Sequence, residues 1–354
     1  MRHTNIFSKR AVRILALLLC LAALLPLSAC GENRLEEREL FSMDTIMTLK
    51  AYGKNAEAGL NAAESVILAM DAMLDPELST STVYAINNAN GSSVVVSAQI
   101  AKMVNTARTV YAQSGGALDL TLYPLIKRWG FVDQKYYKPT EAEILDELSK
   151  LCFDQLQLTS FPASGSYALT LPAYGQLSFA AVAKGCAAEN AVDAMRQAGV
   201  ESGILSLGGN VQTLGVKPNG ELWKVAIQDP EDEGGYVGVV TVGETAVVTS
   251  GPYQRFFQIK DTVYHHILNP ATGHPSGSAL RSVTIICEDA TMADALSTAM
   301  FVLGEVKAIN YWRQYGGFEM ILITTDDRIV CTKGLLEEFT LSPEAGKYRV
   351  VYTE

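Results

Sequence analysis

Apolar positions recur along this chain with two periods, and the switches between them lay out its elements. From Ala56 to Met73 they fall on one helical face, at Leu60, Ala63, Ile67 and Met70. Gln99 to Gln113 repeats that period and ends at Ser114-Gly115-Gly116. Thr140 and Glu143 form a capping box for a helix running to Lys150. Ala187 to Gln197 is helical and stops at Gly199. Met292 to Leu303 is a helix stopped by Gly304, and Glu305 to Tyr315 is a second. Strand patterns cover Ile46 to Tyr52 and Ser282 to Cys287. Tyr236 to Val248 and Phe256 to Ile267 read as β-rich and hairpin-like, and four short strands finish the chain. The predicted fold class is α+β (mixed α/β), with largely antiparallel sheets flanked by helices. No strand leads into Gly-x-Gly-x-x-Gly, so a dinucleotide-binding Rossmann site is not supported.

The first residues have a different character. Arg2, Lys9, Arg10 and Arg13 precede an unbroken apolar run from Ile14 to Leu25, followed by Leu27-Ser28-Ala29-Cys30. A basic start, an apolar run and small residues before a Cys describe a secretory leader of the lipoprotein kind, with Cys30 the lipidated residue. A transmembrane anchor is the alternative, but the run is shorter than the roughly 20 residues a span needs. The expected organisation is a signal peptide over 1–29, a lipidated, solvated tether over 30–40 and a folded unit over 41–354. That places the protein on the cell membrane, lipid-anchored, at the extracytoplasmic face. Lipid insertion then supplies the membrane attachment. Without residues 1–29 the formal charge moves from −10 to −14, since four cations and no acids leave. Such an acidic surface does not suit non-specific nucleic-acid binding. Cys152, Cys186, Cys287 and Cys331 lie far apart, with neither a Cys-x-x-Cys pair nor zinc-ligand spacing, and read best as small buried hydrophobes.

Candidate chemistry concentrates between Thr249 and Gly304. Asp294 and Thr298, four apart, share a helical face and can both offer oxygen to one hard cation. Equally, Thr298 can bond back to the carbonyl at 294 while Asp294 caps the helix or pairs with a base. His265 and His266 end a β-like run, so their rings point to opposite faces and one can serve a site. Lys184 enters a helix from a run of small residues, Ala180 to Ala183. A helix start there offers unpaired N–H groups to a phosphate. Ser206-Leu207-Gly208-Gly209-Asn210 and Thr249-Ser250-Gly251 read as ligand-side loops or simply as turns.

Taken in order, these segments resemble the FAD:protein FMN transferase family of ApbE-type lipoproteins. The resemblance runs from Met43-Asp44-Thr45 through Asp119 to Phe131, Ala180 to Gly185, Gly208-Gly209-Asn210 and the 249–304 block. It implies an ApbE-like fold and transfer of the FMN half of FAD onto a Thr or Ser hydroxyl, with release of AMP. The acceptor it implies is an extracytoplasmic flavoprotein of a membrane redox complex. By the same resemblance Met43, Thr45, Asp119, Trp129, Lys184, Asn210, Ser250, Tyr253 and His266 line the FAD site. His266, Lys184 and Asp294 carry the chemistry, and Asp294, Thr298 and the Ala181 carbonyl hold Mg²⁺. Asp44 stands where a Gly is common, and Ser178 where an acid is common. Two other readings use the same residues: an FAD pyrophosphatase giving FMN and AMP, and a non-catalytic FAD-binding lipoprotein. No nucleophile elbow or zinc motif supports a peptidase.

Overall fold

A computed structural model describes residues 34–353 except Ser164. The leader and Cys30 lie outside the described residues. Nine strands form the central sheet: β1 (Leu35–Ser42), β2 (Thr45–Tyr52), β3 (Ser202–Leu207), β4 (Asn210–Leu214), β5 (Ala246–Ser250), β6 (Leu280–Cys287), β7 (Glu319–Thr324), β8 (Arg328–Thr332) and β9 (Arg349–Thr353). Their spatial order is their chain order. Each neighbouring pair is antiparallel except β8 and β9, which run parallel.

Long excursions between these strands carry everything else. Between β2 and β3 lie α1 (Ala56–Leu74), α2 (Ala98–Ser114) and α3 (Ala183–Gln197), and between β6 and β7 lies α4 (Ala290–Tyr315). These helices cover one face of the sheet, burying Leu49, Leu205, Val248 and Ile285. A three-stranded sheet built from Trp223–Asp229, Asp232–Val242 and Phe339–Leu341 covers the other. Val247, Ile321, Ile323 and Ile329 are buried there against Trp223, Val225 and Val240. With both faces covered, an inner strand such as β7 reads as a continuous apolar run from Met320 to Ile323.

The local signals hold at most boundaries. Thr140 and Glu143 make the reciprocal capping box over Glu141–Leu148. Ser97 caps α2, and Gly115 closes it in the left-handed conformation. Gly304 breaks α4 into two helical halves at φ 73°. Three expectations are corrected. Residues 35–40 are strand rather than tether, because the two-residue turn at Met43-Asp44 folds them onto β2 in register from Leu35↔Tyr52 to Ser42↔Thr45. Their charged side chains suit an edge strand, where charge discourages pairing with another chain. Tyr236 to Val248 is not a hairpin, since Asp232–Val242 pairs in the small sheet and β5 in the central one. Helix α3 begins at Ala183, four residues before its apolar periodicity is apparent. The four cysteines at 152, 186, 287 and 331 are free thiols.

Candidate functional site

One end of the sheet gathers the start of β2, the end of β3, the start of β4 and the end of β5. Two tight turns shape it. Met43 and Asp44 connect β1 to β2 with φ of 49° and 58°. Such two-residue connections need positive φ at both positions, which costs an L-residue roughly 1–2 kcal/mol. Gly208 and Gly209 make the matching turn from β3 to β4. A Cβ on Gly208 would lie 2.3 Å from Thr45 Oγ1, so glycine there brings the two turns together.

Beside these turns, the start of α3 abuts the first turns of α4. Asp289 caps α4 by accepting from Met292 N at 2.8 Å. Asp294 is therefore not the cap, and it sits 3 % exposed with its carboxylate turned to α3. Gly185 N donates to Asp294 Oδ2 at 2.9 Å. Burial pushes the Asp294 carboxyl up from the usual range, while the Lys184 charge and the N–H groups of Gly185 and Lys184 pull it back. The helix start thus spends N–H groups on Asp294, and the expectation that they face a phosphate is corrected. The Lys184 side chain remains the cation there. Asn210 also favours the charged carboxylate. Ser297 returns a hydrogen bond to the Asp294 carbonyl and shares another with Ser250, each 2.8 Å. Thr298 lies one turn after Asp294 and shares its cavity with Ala181.

The two adjacent histidines split as strand geometry requires. His265 is buried, contacting the Ser276 carbonyl at 3.2 Å and the edge of Phe301. His266 lines the cleft, with Nδ1 3.1 Å from the Arg255 carbonyl. A carbonyl only accepts, so that contact places the proton on Nδ1 and leaves Nε2 as an acceptor. Burial, with help from Arg255 and Lys184, pushes the ring down to about 3, so His266 is neutral at working pH. The unfolded chain binds a proton here below pH 6.5 that the folded protein refuses, so stability falls as pH drops from that value towards 3. At pH 5 this term amounts to about 2 kcal/mol. Asp294, shifted upwards, works in the opposite sense. We expect the stability lost between pH 7.5 and 5, measured by urea unfolding, to shrink by about that amount in His266→Gln.

Two adjoining cavities open at this end. The larger, about 570 Å³, is lined by Met43, Asp44, Thr45 and Asp71 on one side and by Ser178, Lys184 and Arg255 on the other. The smaller, about 120 Å³, holds Asp119, Ala181, Asn210, Ser250, Asp294 and Thr298. Lys184 and His266 line both, with Gln254. Asp119 accepts from the N–H and hydroxyl of Thr121 at 2.7 and 2.6 Å, and burial pushes its carboxyl up. Arg255 pairs with Asp44 at 3.1 Å, an exposed contact worth at most about 1 kcal/mol.

Two expected lining residues lie elsewhere. Trp129 is fully buried among Phe131, Phe257 and Tyr264, and its indole N–H donates to the Gly273 carbonyl at 3.0 Å. It fixes the 269–275 turn whose Pro270 lines the smaller cavity. Tyr253 lines neither cavity, and burial pushes its hydroxyl up to about 12. Sequence reasoning missed Asp71 and Gln254. Gln254 lies three residues after Gly251 in the same polar loop, a usable signal; Asp71 looks like any polar position on an amphipathic helix.

Comparison with known proteins shows the family of the chain. The sequence profile of the ApbE family matches residues 43–322. An FAD:protein FMN transferase of Treponema pallidum is 30% identical over 329 residues, covering 88% of this chain and 91% of the relative. One from Klebsiella pneumoniae is 29% identical, covering 91% and 98%. The apo flavinyl transferase ApbE of Pseudomonas stutzeri superposes with TM-score 0.71 at 25% identity, over 88% of this chain and 94% of that one. The ApbE protein of Thermotoga maritima shares the fold, with TM-score 0.76 at 23% identity over 89% and 99%. With its profile covering most of the chain and a relative at this identity over nearly its full length, the protein belongs to the ApbE family.

Proposed function

We propose that this protein transfers the FMN half of FAD to a Thr or Ser hydroxyl of an acceptor flavoprotein and releases AMP. The observation that carries the reading is the meeting of a lysine and a neutral histidine with a free ring nitrogen, which line both cavities, with a buried carboxylate in the smaller one. The larger cavity falls within the size range of small-molecule sites. Lys184 and Arg255 set positive charge where a diphosphate would lie. The acceptor hydroxyl oxygen attacks the FMN-side phosphorus and forms the new phosphoester bond. The bond from that phosphorus to the bridging oxygen breaks, and this oxygen leaves on AMP. His266 Nε2 takes the hydroxyl proton. A bound diphosphate would offset the Arg255 and Lys184 charges, a smaller influence on the ring than its burial.

The donor set at the smaller cavity fits Mg²⁺. Asp294, Thr298 and the Ala181 carbonyl offer hard oxygen ligands. Among the described residues no group of three or more His, Cys, Asp or Glu is placed to hold a metal, so phosphate oxygens and water would complete the shell, as suits Mg²⁺. When bound, the ion would offset charge on the transferring phosphate.

The test is to mix purified protein, FAD, Mg²⁺ and a flavin-accepting domain, then read covalent flavin fluorescence on a denaturing gel together with AMP. A fluorescent acceptor band with equimolar AMP is expected, and His266→Ala lowers its rate about a hundredfold or more. Free FMN with AMP and no labelled acceptor would instead indicate pyrophosphatase activity, and bound, unchanged FAD a carrier.

The leader supports a lipid anchor at Cys30 on the extracytoplasmic face, beside membrane redox complexes that carry the acceptor. No helix among the described residues is long and apolar enough to cross a membrane. Cys30→Ser is expected to move the protein from the membrane to the soluble fraction; retention on the membrane would refute the lipid anchor.

A further inference from the structure

We infer that Asp71 is a positioning residue for the FAD site, holding the Met43-Asp44 turn in a conformation the turn would not keep by itself. The inference rests on the FAD-binding reading given above. Both turn residues have positive φ and neither is glycine, so the backbone there needs an external hold. Asp71 supplies it from the last turn of α1. Its Oδ2 accepts from the hydroxyl of buried Ser42 at 2.8 Å and from the backbone N–H of Met43 at 3.1 Å. One oxygen thus grips both the residue before the turn and its first left-handed residue. Asp71, Met43 and Thr45 line the same wall of the larger cavity. On the turn's far side Asp44 reaches Arg255, whose carbonyl orients the His266 ring. The position of the turn therefore sets the spacing between the Met43–Thr45 wall and the histidine.

The experiment compares wild type, Asp71→Ala and Asp71→Asn. Two readouts are used: the exchange rate of the Met43 amide, and KM and kcat for FAD in acceptor labelling. In Asp71→Ala the Met43 amide exchanges on the order of tenfold faster, and KM for FAD rises by a similar factor while kcat falls less than about threefold. Asp71→Asn recovers most of both, because its amide oxygen can still accept both hydrogen bonds. The inference is overturned by unchanged Met43 exchange in Asp71→Ala, by loss of kcat at constant KM, or by Asp71→Asn being as impaired as Asp71→Ala. A wild type that neither binds FAD nor labels an acceptor, with Met43 exchange still accelerated in Asp71→Ala, would sink the FAD reading and leave the hold on the turn standing.

Discussion

Asp294→Asn lowers covalent flavin transfer by about a thousandfold while the protein stays folded. The asparagine keeps the side-chain shape and retains an oxygen to accept the Gly185 N–H, so the junction of α3 and α4 survives. It removes the buried negative charge that faces Lys184 and supplies the carboxylate of the proposed Mg²⁺ site. Burial amplifies that charge, since little water is present to screen it. The measurement is the initial rate of acceptor labelling beside the thermal midpoint of each protein. A rate within tenfold of wild type at an unchanged midpoint would remove Asp294 from the chemistry.

Gly185→Ala eliminates activity by a different route and costs stability as well. A Cβ at 185 would stand 2.1 Å from the Ala290 carbonyl oxygen and 2.8 Å from Asp294 Cβ. Neither contact can be relieved by rotating a side chain, because the first involves backbone and the second the root of a side chain. Helices α3 and α4 must separate, and Asp294 then loses the N–H of Gly185. We expect a loss of about 2–3 kcal/mol in urea unfolding, together with loss of labelling. Wild-type stability and activity in this variant would show that the junction is looser than the contact distances imply.

The two predictions differ in how legible they were beforehand. The Asp294 and Thr298 spacing is local, and the helix that sets it carries its own cap and stop at Asp289 and Gly304. The reason Asp294 is free for chemistry is also local, because Asp289 takes the capping role. Gly185 is another matter. Its contact with Ala290 joins positions far apart in sequence, and nothing at 185 announces that a carbonyl will lie against it. Trp129 shows the reverse error. An aromatic beside a turn suits ring stacking, but three other aromatic rings pack around this one and leave no face for a ligand.

Periodicity, caps and turn residues in the sequence determined the long helices, strand β2, the strands after Phe256, the opposite orientation of His265 and His266 and the family to which the motifs point. These depend on hydrogen bonds and side-chain directions set within a few residues. Only the tertiary structure decided that nine strands stack in chain order, that residues 35–40 form an edge strand, and that Asp71 holds the Met43 turn. It also decided that the N–H groups at the start of α3 turn to Asp294 rather than to a phosphate. Each of those outcomes joins segments widely separated along the chain. Such contacts form only when the burial of the whole sheet between its two covering layers is satisfied at once, a condition no local window contains.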